Sequence, residues 1–192
     1  MVQEVTVLYF DKPGRGNTDL ILAAAIRRAL ALGIEHIVVA SNTGATGRRA
    51  LDLCRELGFG GQLVVVAEHT GFKERGVQMM PTEVRRELEA AGARVVVGTH
   101  ALSSISRSYR LRWGGVDMLE TIAEAYRRVS QGFKVCIEIS LMAADAGEIP
   151  VDRDVVAVAG SSGGADSSIV LRPANQNRFF DLKVREIVGM PR

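Results

Sequence analysis

Cysteine is scarce in this chain of 192 residues. Cys54 falls in a helical pattern and Cys136 in a strand pattern, and neither has a CxxC partner. Both read as buried thiols of a reducing compartment. The three histidines, His36, His69 and His100, lie far apart without metal-ligand spacing, so no metal is expected. Net charge is only +2, too little to indicate nucleic acid. No apolar run reaches membrane-spanning length, and the N-terminus lacks the layout of a signal peptide. A cytoplasmic protein with neither membrane nor nucleic-acid partners is expected.

Two nucleotide-binding signatures are also missing. No GxxxxGK[ST] sequence is present, which excludes an ATP P-loop. The loop Asp11-Lys12-Pro13-Gly14-Arg15-Gly16-Asn17-Thr18-Asp19 holds two glycines of a GxGxxG pattern, but Asp19 stands where the third belongs. The second strand ends in Ser41, where a dinucleotide site places an acid for the ribose. Both departures argue against NAD.

What is present is ordinary globular composition, 47% apolar and 24% charged, in a length that suits one domain over residues 1–192. Strand-like apolar runs at 5–10, 36–40, 62–67, 94–98, 134–139 and 155–159 alternate with helical patterns at 18–32, 45–57, 82–91 and 118–130, with a short helix at 141–146. Gly33, Gly58 and Gly92 stand at helix ends. The alternation predicts an α/β fold, a mostly parallel open sheet with helices on both faces. Residues 168–171 and 181–188 read as strands with no helix between them, which predicts an antiparallel extension at one sheet edge near the C-terminus.

Ligands of such sheets bind beyond the C-terminal ends of the strands. Four polar, glycine-bearing loops fall there, at 11–19, 41–49, 98–113 and 160–168, and together they predict a pocket. The strongest is Ser41-Asn42-Thr43-Gly44-Ala45-Thr46-Gly47-Arg48-Arg49. A strand-to-helix turn with three hydroxyls, two glycines and no acid before Asp52 suits an anion, because helix-start N–H groups are unpaired and carry partial positive charge. An ordinary capped turn has the same look. In the first loop, Asp19 would repel phosphate, so that loop is assigned to a wall of the pocket.

His100, just past the fourth strand, is a candidate to donate to a ligand or exchange protons. Arg107, Tyr109, Arg110, Arg112 and Trp113 form a basic-aromatic loop, either solvated or closing over a ligand. Glu138, placed inside a strand, is read as paired with a basic residue, and Asp145 is equally ambiguous. Gly160-Ser161-Ser162-Gly163-Gly164 matches GxSxG, but a strand follows where the nucleophile elbow needs a helix. All three histidines also precede Ser162. The loop therefore reads as glycine-rich backbone approaching a ligand through Gly160 and Gly163. Asp166 either bonds that ligand or braces the loop.

Laid out in order, these segments resemble the small archaeal and bacterial proteins described as pyruvate kinase α/β-domain-like, or C-terminal-domain-like. The resemblance rests on Tyr9-Phe10-Asp11-Lys12-Pro13-Gly14 with Asn17-Thr18-Asp19, the run from Val38 to Thr46, Gly98-Thr99-His100-Ala101-Leu102-Ser103, Gly132-Phe133-Lys134-Val135 with Glu138, Met142-Ala143-Ala144-Asp145-Ala146-Gly147, and Gly163-Gly164-Ala165-Asp166. The chain departs from the family pattern at Asn42, Gly47, Ser167 and Ser106-Arg107. The resemblance implies a fold like the regulatory domain of pyruvate kinase, where the loop similar to residues 41–46 holds a phosphate of a sugar-bisphosphate activator. Stand-alone members are associated with bound FMN. Pyruvate kinase activity does not follow, because its catalytic site lies on a barrel of about 250 residues.

Loop chemistry and resemblance together give a candidate cofactor-binding set of Pro13, Gly14, Asn17, Ser41, Asn42, Thr43, Gly44, Ala45, Thr46, Thr99, His100, Gly160, Gly163 and Asp166, with His100 as the catalytic candidate. The expected ligand is FMN or a similar small phosphorylated compound, in a flavin oxidoreductase. The alternative is a regulatory or sensor module that binds a phosphorylated metabolite without chemistry. A homo-oligomer is compatible with an α/β domain this apolar.

Overall fold

The computed structural model describes residues 2–192, the side chain of Ser104 excepted. Strand β1 (Leu8–Phe10) leads through a 3-10 turn at Arg15–Asn17 into α1 (Thr18–Leu32). Then follow β2 (His36–Ala40), α2 (Ala45–Glu56), β3 (Gln62–Glu68), α3 (Thr82–Ala90) and β4 (Arg94–Gly98). Three consecutive helices come next, α4 (Ser104–Trp113), α5 (Met118–Arg127) and α6 (Gln131–Asp145). The chain closes with β5 (Val155–Ala159), β6 (Ser167–Arg172), a 3-10 segment at Gln176–Asp181 and β7 (Lys183–Pro191). No helix among the described residues is long and apolar enough to cross a membrane.

All seven strands form one mixed sheet in the order β1-β7-β6-β5-β2-β3-β4. Only β6 runs against the others; it pairs antiparallel with both β5 and β7. The central strands are buried on both faces, and their alternate residues feed two cores. Ile37, Val39, Val65, Val156 and Val158 pack with Ile21, Leu22, Ile26, Leu53 and Leu88 of α1, α2 and α3. Val38, Val64, Val66 and Ala157 face Ile137, Leu141 and Met142 of α6 on the other side. Each helix covers the sheet because apolar faces must leave water together. The register Ile37↔Val156 and Val39↔Val158 sets the C-terminal ends of β2 and β5 side by side. From that point the chain leaves β2 toward β3 and leaves β5 toward β6, which makes it the topological switch of the sheet.

The largest departure from the expectation is α6. Residues 134–139, read as a strand, lie inside a helix that also absorbs the short helix expected at 141–146. Twelve of its fifteen residues are buried, so it has no polar stripe and no helical periodicity to read. Val135, Ile137 and Ile139 then suggested β structure, which tertiary burial overrides. The antiparallel element is also not an edge extension. β7 is parallel to β1, which covers it on the outside, and β6 lies in the interior. Strand β1 is shorter than residues 5–10 because it has a single neighbour and pairs only through Leu8, Tyr9 and Phe10. The stretch from Arg107 to Trp113 is helical rather than a loop, and it leaves Ile105, Leu111 and Trp113 exposed.

Ile137 is fully buried at the centre of α6, against the sheet. Ile137→Ala should lower unfolding free energy by about 2–5 kcal/mol, read from the midpoint of urea denaturation.

Candidate functional site

The loops at the C-terminal strand ends enclose a cavity of about 870 Å³ over the switch point. Helix α2 presents its N-terminus there. Gly44 precedes the helix in the left-handed region (φ 86), and Ser41 Oγ accepts from Gly47 N–H at 3.1 Å. That bond caps one of the helix-start donors and leaves the N–H groups of Ala45 and Thr46 for another acceptor. Thr43 and Thr46 line the cavity, and no hydrogen bond among the described residues occupies their hydroxyls. The first turn of α2 contains no acid.

The wall facing this turn is laced by Asp166, which is fully buried. Its Oδ2 accepts from Gly14 N–H at 2.9 Å, from Ser161 N–H at 3.2 Å and from the Ser161 hydroxyl at 2.8 Å. Its Oδ1 accepts from the Ser167 hydroxyl at 2.9 Å, and Ser167 Oγ in turn lies 3.0 Å from Ser130 Oγ, the cap of α6. Thr18 Oγ1 accepts from Ala165 N–H at 3.0 Å. Gly164 (φ 69) allows this approach, since a Cβ there would stand 2.8 Å from Arg15 Cα. The loops after β1 and β5 and the start of α6 are thereby fixed to one another.

The opposite end of the cavity is aromatic and charged. His100 and Phe72 meet edge to face at 4.6 Å, His69 lies 5.9 Å from His100, and the Arg107 guanidinium sits 4.8 Å from the Phe72 centroid. Burial pushes the His100 imidazole below its ordinary range; Lys134, His69 and Arg107 push the same way and Glu138 opposes them. Burial also raises the Glu68 carboxyl, partly offset by the neighbouring His69, Lys73 and Arg107 and by the bond from Asn42. Asn42 is locked against that residue, donating to Glu68 Oε2 at 2.9 Å and accepting from Glu68 N–H at 3.1 Å.

Most charges lining the cavity are compensated. Arg49 holds Asp19 at 2.9 Å, which keeps that carboxyl below its ordinary range. Arg110 and Arg127 both bridge to Glu120, and Lys134 holds Glu138 at 2.5 Å. Arg15 and Arg107 have no carboxylate partner among the described residues.

Of the candidate cofactor-binding set, Ser41, Asn42, Thr43, Ala45, Thr46, His100, Gly160 and Gly163 line this one cavity, as do Arg107, Arg110, Glu138 and Ser162. Pro13, Gly14, Asn17, Gly44, Thr99 and Asp166 do not. Gly14 donates to Asp166, and Asn17 donates to Lys12 O at 2.8 Å. Gly44 packs toward Val84 of α3. Pro13 and Thr99 are exposed outside the cavity. Asp166 is consumed in bracing. Glu138 is paired with a basic residue, but along a helix rather than a strand. Asp145 bonds Asn175 and Gln176 at the other end of α6, away from the cavity. Ser162 is exposed in a loop followed by a strand, which is not an elbow. Cys54 and Cys136 are free buried thiols, with Cys54 pushed up to about 11 by burial. Among the described residues no cluster suits a metal ion.

Sequence reasoning missed Arg15, Glu68 and Phe72. Glu68 carried a readable signal, an acid closing an apolar parallel strand. Phe72 carried none, because the segment after β3 has no periodic pattern.

Fold and site thus define an open α/β-sheet protein with a polar cleft at its topological switch. No protein-family model matches the chain. Among solved structures it is similar to a pyruvate kinase of Cryptosporidium parvum in complex with ADP, at 17% identity and a TM-score of 0.40, over 98% of this chain and 25% of that one. The chain therefore spans about a quarter of the length of that enzyme.

Two outcomes follow from this geometry. Asp166→Ala leaves one buried and three part-buried donors without their acceptor and should cost about 2–3 kcal/mol in chemical denaturation, while Asp166→Asn, which keeps one carbonyl oxygen, should cost less. His100 has a lowered pKa in the folded chain, so below pH 6.5 the unfolded chain takes up the proton first. Its contribution to stability is intact above that pH and is lost as pH falls toward the depressed pKa. His100→Gln should flatten this part of the profile of melting temperature against pH.

Proposed function

We propose that the cavity binds a small phosphorylated ligand, FMN in the first reading, and that the chain serves as a flavin-binding protein with oxidoreductase chemistry. The observation that carries this reading is the acid-free start of α2, where free N–H groups and the Thr43 and Thr46 hydroxyls open into the cavity. Arg15, without a carboxylate partner, adds a cation at the neighbouring wall. A terminal phosphate suits that corner. The remaining space is lined by Phe72, Met79, Val135, Ile139 and Met142, an apolar surface on which a flat ring can lie. The cavity volume lies within the range of cofactor sites.

When bound, FMN supplies the redox chemistry. The chain's own part is to hold the phosphate at α2, to support the ring on Phe72 and Met142, and to offer the His100 imidazole as a donor or acceptor of a proton. The low pKa of His100 keeps it neutral at pH 7, with one nitrogen able to donate and the other to accept.

A sensor module for a phosphorylated metabolite is the second reading. It is favoured by the ion pairing of most cavity charges, which suits binding without chemistry. A visible absorption spectrum after addition of FMN, and of the protein as purified, separates the two.

Thr43→Asp should weaken FMN binding by roughly tenfold to a hundredfold, since a like charge meets the phosphate at short range in a partly buried site. Fluorescence quenching of FMN measures this, and an unchanged affinity would remove the phosphate from the α2 turn.

A further inference from the structure

Lys134 has donors that nothing in the fold uses. It stands in the first turn of α6, is 5% exposed, and lines the cavity on the face of the sheet opposite α2. An ammonium carries three N–H groups. One goes to Glu138 Oε2 at 2.5 Å, and no other acceptor meets Nζ among the described residues. Each oxygen of Glu138 has a partner, because its Oε1 accepts the Leu102 N–H at 3.0 Å and so fixes the backbone just beyond His100. A buried ion pair is costly to desolvate, and an apolar pair of similar volume packs as well or better. The pair has no packing rationale here, since α6 is otherwise apolar where it meets the sheet. Held in place by Glu138, the two remaining N–H groups belong to an acceptor that enters the cavity.

The geometry points to Lys134 as a second ligand-binding group, whose ammonium takes an anionic or carbonyl oxygen carried by a planar group lying against Phe72 and His100. This inference rests on the reading of the cavity as a site for a phosphorylated ligand. It adds the chemistry at the end remote from the phosphate: a carboxylate, enolate or ring carbonyl. That oxygen belongs either to the far end of the phosphorylated compound or to a separate planar acid bound beside it.

Benzoate is a suitable probe, being a flat ring with one carboxylate. Calorimetric titration should show benzoate binding to the wild-type chain. Affinity should fall at least tenfold in the double variant Lys134→Met, Glu138→Gln, which removes both charges together and leaves no unpaired buried ion. In wild-type protein the Lys134 Nζ resonance should shift on benzoate addition, a readout that needs no variant. Competition by FMN would assign the oxygen to the same ligand, and additive binding would assign it to a separate acid. Equal benzoate affinity in wild type and double variant, or no binding to the wild type at millimolar concentration, overturns the inference. If Thr43→Asp leaves FMN binding unchanged while the double variant loses benzoate, the phosphate reading fails and the role of Lys134 stands.

Discussion

The Asp166 carboxylate is the interaction on which the site depends. The chain returns from β5 through a tight loop into an antiparallel strand, so no helix follows to anchor that loop. A buried charge takes that role. It gathers Gly14, both polar groups of Ser161 and the Ser167 hydroxyl, and through Ser167 it reaches the cap of α6. Bonds to an ionised acceptor in a low-dielectric interior are stronger than neutral ones, and each donor left alone there would be costly. The three segments that wall the cavity are therefore fixed as a unit. The residue that fixes these segments does not itself line the cavity.

The electrostatics of the cavity follow a simple division. Acids and bases are mixed throughout, yet nearly every acid is tied to a named partner: Asp19 to Arg49, Glu120 to Arg110 and Arg127, Glu138 to Lys134, Glu68 to Asn42. Among the described residues, the groups without a carboxylate or with spare donors are positive: Arg15, Arg107, the remaining N–H groups of Lys134 and the start of α2. Helix N-termini gather at this edge because parallel strands feed helices there, so the fold supplies the same sign of potential as the side chains. Burial moves His100 down and Glu68 up, favouring the neutral form of both. Among the described residues, each carboxylate that lines the cavity thus has a hydrogen-bond or ion-pair partner.

Much of this architecture was legible in the residues. The helix Thr18–Leu32 and the strands His36–Ala40, Arg94–Gly98 and Val155–Ala159 match their expected bounds, because each has either clear amphipathic spacing or a short apolar run closed by turn residues. The turn after β2 was legible for the same local reason. Failure came where the context is not local. The fully buried α6 looks like a strand, and α4 looks like a loop because its apolar side chains are not covered. The site inherited these errors. Lys134 and Glu138 lie four residues apart, a spacing that puts them on one face of a helix and on one side of a strand alike, so only the helix reveals the contact.

The sequence alone determined the alternation of strands and helices outside residues 104–145, the acid-free hydroxyl turn at residues 41–46 and the polar, glycine-bearing composition of the loops at 11–19 and 160–168. All of these depend on residues near one another in the chain. The tertiary structure alone decided the strand order, the interior place of β6, the bracing role of Asp166 and the pairing of Lys134 with Glu138 inside a helix. These depend on which surfaces are buried against each other, and burial is a property of the assembled layers. A carboxylate 152 positions from Gly14 becomes its partner only when β5 and β1 send their loops to the same edge of the sheet.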